Sequence, residues 1–175
     1  EIAEIAAGIE PTDGIFYPGI VQMNYMTGEL IKSYGNAPKM IIAMFDMGGS
    51  INTVEFHSEY HGHEDSPKEL LEAIDKLDVD FSPRQIAHVA TLSALANQKL
   101  VPKPHLEEII KYSATLGALG VNVAHSGTMV GVLFAPDESM KHVMEAVEKI
   151  REKFPELEYF ETERLISGGY DIEQR

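Results

Sequence analysis

The succession of elements legible in this sequence predicts an α+β fold: a two-layer sandwich in which helices cover one face of an antiparallel sheet. Three observations carry the prediction. Strand-like segments crowd residues 20–45, serine–proline helix starts follow at Ser66-Pro67 and Ser82-Pro83, and the region beyond residue 120 alternates strand and helix. With 175 residues and 44% hydrophobic content, the chain is large enough to bury a core of its own.

Residues 1–8 read as the last two turns of an amphipathic helix closed by Gly8, an opening that predicts the C-terminal part of a longer protein. A loop punctuated by proline and glycine covers residues 10–19. Alternation at residues 20–25 and 29–34, across Met26-Thr27-Gly28, then predicts a hairpin. Met40-Ile41-Ile42-Ala43-Met44-Phe45 is a continuous apolar run, as in a buried central strand. Gly48-Gly49 ends it, and residues 53–57 predict a further strand.

Ser66-Pro67-Lys68-Glu69 offers an N-cap, a proline at the first helical position and an acid at the third, so a helix is predicted to about Leu77. Ser82-Pro83-Arg84-Gln85 repeats the signature and opens a helix to about Leu100. Ile86, Val89, Ala90, Leu92, Ala94 and Leu95 make that helix apolar on most sides, which predicts burial between other elements. Pro102 and Pro104 end it, and Leu106, Ile109, Ile110, Ser113 and Leu116 form the stripe of a third helix. Strands are predicted at residues 121–124, 129–134 and 158–162. Between the last two, a helix over 137–154 turns Met140, Val143, Met144, Val147 and Ile150 inward.

The charge balance is acidic, with 14 basic against 28 acidic residues, and opposes non-specific attraction to nucleic acid or anionic membranes. The absence of cysteine excludes thiolate catalysis, disulfides and thiolate zinc sites. No apolar run approaches the ~20 residues of a membrane-spanning helix, and no secretory signal is visible, so a cytoplasmic protein is expected.

The most informative stretch runs from Gly117-Ala118-Leu119-Gly120 through Ala124-His125-Ser126-Gly127-Thr128 to Phe134. A helix closed by glycine, a short polar loop and an apolar strand bring a backbone close to a small ligand. Gly127 and Gly131 lack a Cβ and permit close approach and positive φ, while Ser126 and Thr128 add hydroxyls and main-chain donors. The plainer reading is a tight strand connection that needs glycine. No Gly-Lys-Ser/Thr phosphate loop occurs in the chain. Asp13, in a glycine-flanked loop with Glu10 three residues earlier, can accept a proton from a hydroxyl or hold a metal; it also reads as a simple turn residue. His57, His61 and His63, with Glu59, Glu64 and Asp65, lack helical zinc spacing and read as a solvated loop, so no metal-ligand set is assigned. Thr91, Ser93, Asn97 and Gln98 are further pocket candidates, and His88 and His105 read as structural.

Ala90-Thr91-Leu92-Ser93-Ala94-Leu95-Ala96-Asn97-Gln98, followed by a helix and Leu116-Gly117-Ala118-Leu119-Gly120 into Ala124-His125-Ser126-Gly127, resembles the C-terminal half of the GHMP small-molecule kinases. Glu10-Pro11-Thr12-Asp13, Phe45-Asp46-Met47-Gly48-Gly49-Ser50 and Thr53-Val54-Glu55-Phe56 resemble the branch of L-threonine kinases of cobalamin synthesis and propanediol utilisation. The resemblance covers about residues 1–134, and more loosely the remainder.

It implies a ferredoxin-like C-terminal domain over residues 20–175, with residues 1–19 ending a preceding domain as its helix and catalytic loop. It also implies phosphorylation of a small-molecule hydroxyl with ATP and Mg²⁺, L-threonine being favoured. Asp13 stands where the family carries its catalytic carboxylate, flanked by Thr12 and Gly14 as substrate- and phosphate-binding residues. Gly127 matches the family's third motif, from which His125, Ser126 and Thr128 depart by being less glycine-rich. The family's Pro-x-x-x-Gly-Leu-x-Ser-Ser phosphate loop is not in this sequence, so the chain alone is expected to be inactive and to need the N-terminal kinase half. A homodimer is compatible with the resemblance. The alternatives are a catalytically silent ligand-binding or regulatory domain, a structural subunit with no ligand, and a kinase for another alcohol such as homoserine or mevalonate.

Overall fold

The computed structural model describes residues 2–9, 14–49, 66–99, 101–124 and 127–169. The expected strand at 53–57 and the histidines at 57, 61 and 63 lie outside the described residues. The chain forms two compact units, residues 1–38 with 165–175, and residues 39–164.

In the smaller unit, α1 (Ile2–Ala7) is followed by a short 3-10 turn at Gly14–Phe16 and by the expected hairpin of β1 (Ile20–Met23) and β2 (Leu30–Gly35). Two bulges interrupt the hairpin register, between Ile20 and Val21 and between Gln22 and Met23. Gly28 is the contact point of this unit. Its φ is +73°, a Cβ there would run into the backbone of Ala3, and its carbonyl accepts the Tyr17 hydroxyl at 2.7 Å.

The larger unit is a four-stranded sheet in the order β4-β5-β3-β6, antiparallel at every pairing. The strands are β3 (Ile41–Asp46), β4 (Gly120–Val123), β5 (Met129–Phe134) and β6 (Glu158–Arg164). The predicted apolar run thus becomes a central strand, β3, flanked by β5 and β6. Alternate residues of the strands, Ile41, Ala43, Phe45, Val121, Val123, Val130, Val132 and Phe134, share one buried cluster with Leu106, Ile109, Val143, Ala146, Val147 and Ile150. Those helical residues come from α4 (Leu106–Thr115) and α5 (Met140–Lys153), which therefore cover one face as the period-2 and period-3.6 patterns require. At the β6 edge, Phe45 pairs with Tyr159 and Met44 with Glu161, so Phe160 bulges out, 63% exposed.

Two helices differ from expectation in their surroundings. α3 (Pro83–Asn97) is capped by Ser82, whose hydroxyl accepts the Gln85 N–H at 3.2 Å, but it is not buried on all sides. Of its residues only Ala87, Ala94 and Asn97 are buried, because α3 lies along the open edge of β4. There the Thr91 hydroxyl accepts the Val121 N–H at 2.9 Å, a donor that a fifth strand would otherwise take, and donates to the Ala87 carbonyl at 2.8 Å. α2 (Lys68–Asp75) begins one residue later than predicted. Pro67 holds the extended cap position with no side-chain bond, and Ser66 lies too early to cap.

In α5 the cap is Ser139, accepting from His142 N–H at 3.1 Å, and the buried face starts at Val143. Met140, expected inward, is 43% exposed on the first turn. α4 ends as its glycine predicts. Gly117 adopts φ +90°, and the N–H groups of Gly117 and Ala118 return to the carbonyls of Ala114 and Ser113.

Candidate functional site

The polar loop that attracts notice in the sequence joins β4 to β5 at one end of the sheet. Of its candidate residues, Gly127 and Thr128 are described, while His125 and Ser126 lie outside the described residues, as do Thr12 and Asp13. Gly14 is described in the smaller unit, where it opens the 3-10 turn and a Cβ would press on Val21 at 2.9 Å.

The loop is tied to the exit of the central strand. Asp46, the last residue of β3, is the register partner of Met129, and the Met47 N–H donates to the Thr128 carbonyl at 3.2 Å. The Asp46 carboxylate accepts the Gly48 N–H at 2.9 Å. The neighbouring Thr128 side chain and the Gly48 N–H hold the carboxyl below the usual aspartate range. Asp46 was quoted in a sequence motif but given no role; an acid closing an apolar strand before Gly48-Gly49 was the available signal.

The glycines of the region divide by task. Neither Gly127 nor Gly131 takes a positive φ. Among the described residues, a Cβ at Gly127 would press on the Ala124 Cβ at 3.0 Å. Gly131 instead clears room within the sheet, where a side chain would strike Asn122 Oδ1 and Ile42. Two of the other pocket candidates serve structure. Thr91 clamps α3 to β4, and Gln98 brackets the backbone of Lys103. A surface groove of about 450 Å³ between α3 and α4, lined by Leu95, Gln98, Glu107, Ile110 and Lys111, includes the pocket candidate Gln98 but none of the assigned residues at 12–14 and 125–128. Among the described residues no three His, Asp or Glu side chains converge as a metal site, and no helix is long and apolar enough to cross a membrane.

Residues 70–153, spanning α2 to α5, match the family model described as GHMP kinases C terminal. This segment is a GHMP kinase C-terminal domain. Two curated L-threonine kinases align with the chain that carries it. The Citrobacter freundii protein is 22% identical over 183 residues, covering 98% of this chain and 62% of its own length. The Salmonella typhimurium protein is 22% identical over 137 residues, covering 75% of this chain and 46% of its own. The chain therefore spans about half to two thirds of the curated relatives it matches. Among solved structures, a mevalonate kinase of L. major in complex with R-mevalonate superposes with a TM-score of 0.57 at 16% identity, over 81% of this chain and 47% of that one. The GHMP fold expected from the sequence is the fold observed.

Proposed function

We propose that this chain supplies the C-terminal part of an ATP-dependent kinase that phosphorylates a small-molecule hydroxyl, with L-threonine converted to O-phospho-L-threonine as the favoured reaction. The alignment of the Citrobacter freundii L-threonine kinase along 98% of the chain carries this reading. The loop at Gly127–Thr128 supports it by being anchored at the exit of the central strand, where the Met47 N–H donates to the Thr128 carbonyl.

In this reading Asp13 accepts a hydrogen bond from the substrate hydroxyl and orients it for attack, with Thr12 and Gly14 beside it in sequence. Phosphoryl transfer demands mainly positioning and charge neutralisation, which suits one carboxylate and a close backbone. Gly127, with His125, Ser126 and Thr128, forms the phosphate and substrate side. ATP and Mg²⁺, when bound, supply the phosphoryl group and neutralise its charge. Residues 1–19 close the kinase's N-terminal domain, whose remainder supplies the principal phosphate loop. A cytoplasmic place in cobalamin side-chain synthesis or propanediol utilisation follows from the substrate.

The test is a phosphotransfer screen of the intact kinase with ATP, Mg²⁺ and L-threonine, L-serine, homoserine and mevalonate, alongside the 175-residue chain alone. Transfer to L-threonine by the intact protein, and none by the chain alone, is expected. Preference for another alcohol would overturn the substrate, and ligand binding without transfer would favour the silent-domain reading.

A further inference from the structure

Lys103 is the one charged residue buried among the described residues, at 4% exposure. Its Nζ has no hydrogen-bond partner. The backbone beneath it is held firmly: the Gln98 side chain accepts the Lys103 N–H at 2.6 Å and donates to the Lys103 carbonyl at 3.0 Å, and Pro102 and Pro104 flank it. A lysine normally carries its ammonium to water along its flexible stem. Here the stem is anchored and the tip is covered. Burial accordingly lowers the Lys103 pKa.

The place of Lys103 in the fold gives this charge a direction. The tight turn at Leu116–Gly117 sends the chain from α4 straight into β4, so α4 runs antiparallel to β4 and its N-terminus lies where β4 leaves for the 124–128 loop. Lys103 precedes that N-terminus by three residues. Contacts lead from it to the same end of the sheet on the other side. The His105 ring lies 6.5 Å from Phe154, which closes α5, and β6 then begins at Glu158, the register partner of Asp46. The Thr128 side chain neighbours Asp46. The nearby acids are engaged elsewhere, Glu107 with Lys111 at 3.4 Å and Glu108 with His105 at 3.5 Å.

We propose that Lys103 supplies a buried positive charge at the glycine-loop end of the sheet and takes an anionic oxygen group of the bound ligand. This rests on the kinase reading, which brings two such groups: a phosphoryl of the nucleotide and the carboxylate of an amino-acid substrate. An ammonium already stripped of water binds such a group strongly, since the desolvation cost has been met in folding.

The test uses the intact protein with ¹³C-labelled lysine, in which Lys103 is assigned by comparison with Lys103→Met. Inorganic phosphate and L-threonine are titrated separately, with L-threoninol as the carboxylate-free control. A response to phosphate alone assigns a phosphoryl partner; a response to L-threonine but not L-threoninol assigns the carboxylate. In either case the Lys103 pKa rises on binding, and Lys103→Met weakens that probe ~10-fold or more while Lys103→Arg retains part of it. Methionine suits a buried site, so Lys103→Met stays folded and gains thermal stability, which separates lost binding from lost structure. A Lys103 signal unmoved by both anions, or unchanged affinity in Lys103→Met, would overturn the proposal. Because the readout is anion binding, absence of phosphotransfer in the kinase screen leaves it standing.

Discussion

In residues 39–164, Phe45 and Phe134 are sealed against Ile41, Leu106, Ile109, Val143 and Val147 in one cluster. In the smaller unit Ala3 is the only hydrophobic side chain buried among the described residues, while Ile5, Ile9, Ile15, Tyr25, Met26, Leu30 and Ile31 are exposed. The difference teaches where stability originates. Four strands and two covering helices can make their own core, whereas a six-residue helix and a two-stranded hairpin are marginal in water by themselves. The smaller unit is held by backbone contacts at Gly28 and leaves an apolar surface that a second folded segment would stabilise. Asp13 falls in its stretch of chain.

The contrast is tested most severely by truncating one side chain from each unit. Phe45→Ala should cost about 3–5 kcal/mol by denaturant unfolding, while Ile31→Ala, at a position 60% exposed, should stay within about 0.5 kcal/mol. Equal losses would mean that the hairpin is covered in solution and the contrast is false. The next effect concerns chemistry rather than folding. On the proposed kinase reading, Asp13→Asn in the intact protein should lower turnover ~100-fold or more with nucleotide binding retained; unchanged turnover would remove the smaller unit's stretch of chain from the proposed mechanism.

The smallest effect lies in the larger unit, at the Asp46 tie. The Asp46 pKa is lowered on folding, so the tie is complete above the ordinary aspartate value of 3.8 and is lost as pH falls through the lowered folded value. Amide exchange at Thr128 and Met47 should therefore quicken in that acid range. Asp46→Asn should remove this pH dependence and raise exchange at neutral pH, and an unaltered acid profile in that variant would assign the tie to other groups.

Much of the larger unit was legible because its signals are local. The apolar run at 40–45 and the stripes at 106–116 and 143–150 each name the face to be buried. Ser82 was a cap within reach of its own backbone. The misreadings share a cause. The burial of α3, the exposure of Met140 and the role of Gly131 depend on what lies opposite: a sheet edge, the end of the first helical turn, and the side chains of Asn122 and Ile42. At the site, the glycine loop was visible, but its anchor at the exit of the central strand was not, since Met47 and Thr128 are far apart in sequence and meet through antiparallel register.

The sequence by itself determined the α+β class, the elements that carry local periodicity and the kinship to GHMP kinases. Those follow from side-chain patterns within a few turns or strands and from motifs in order. Only the tertiary structure decided that β3 is flanked by β5 and β6, that α3 guards the β4 edge, that the Met47 N–H anchors Thr128 and that Lys103 is covered with no hydrogen-bond partner among the described residues. Each of these depends on pairings across dozens of residues, where burial and hydrogen bonding are set by the neighbour that arrives rather than by the residue that waits.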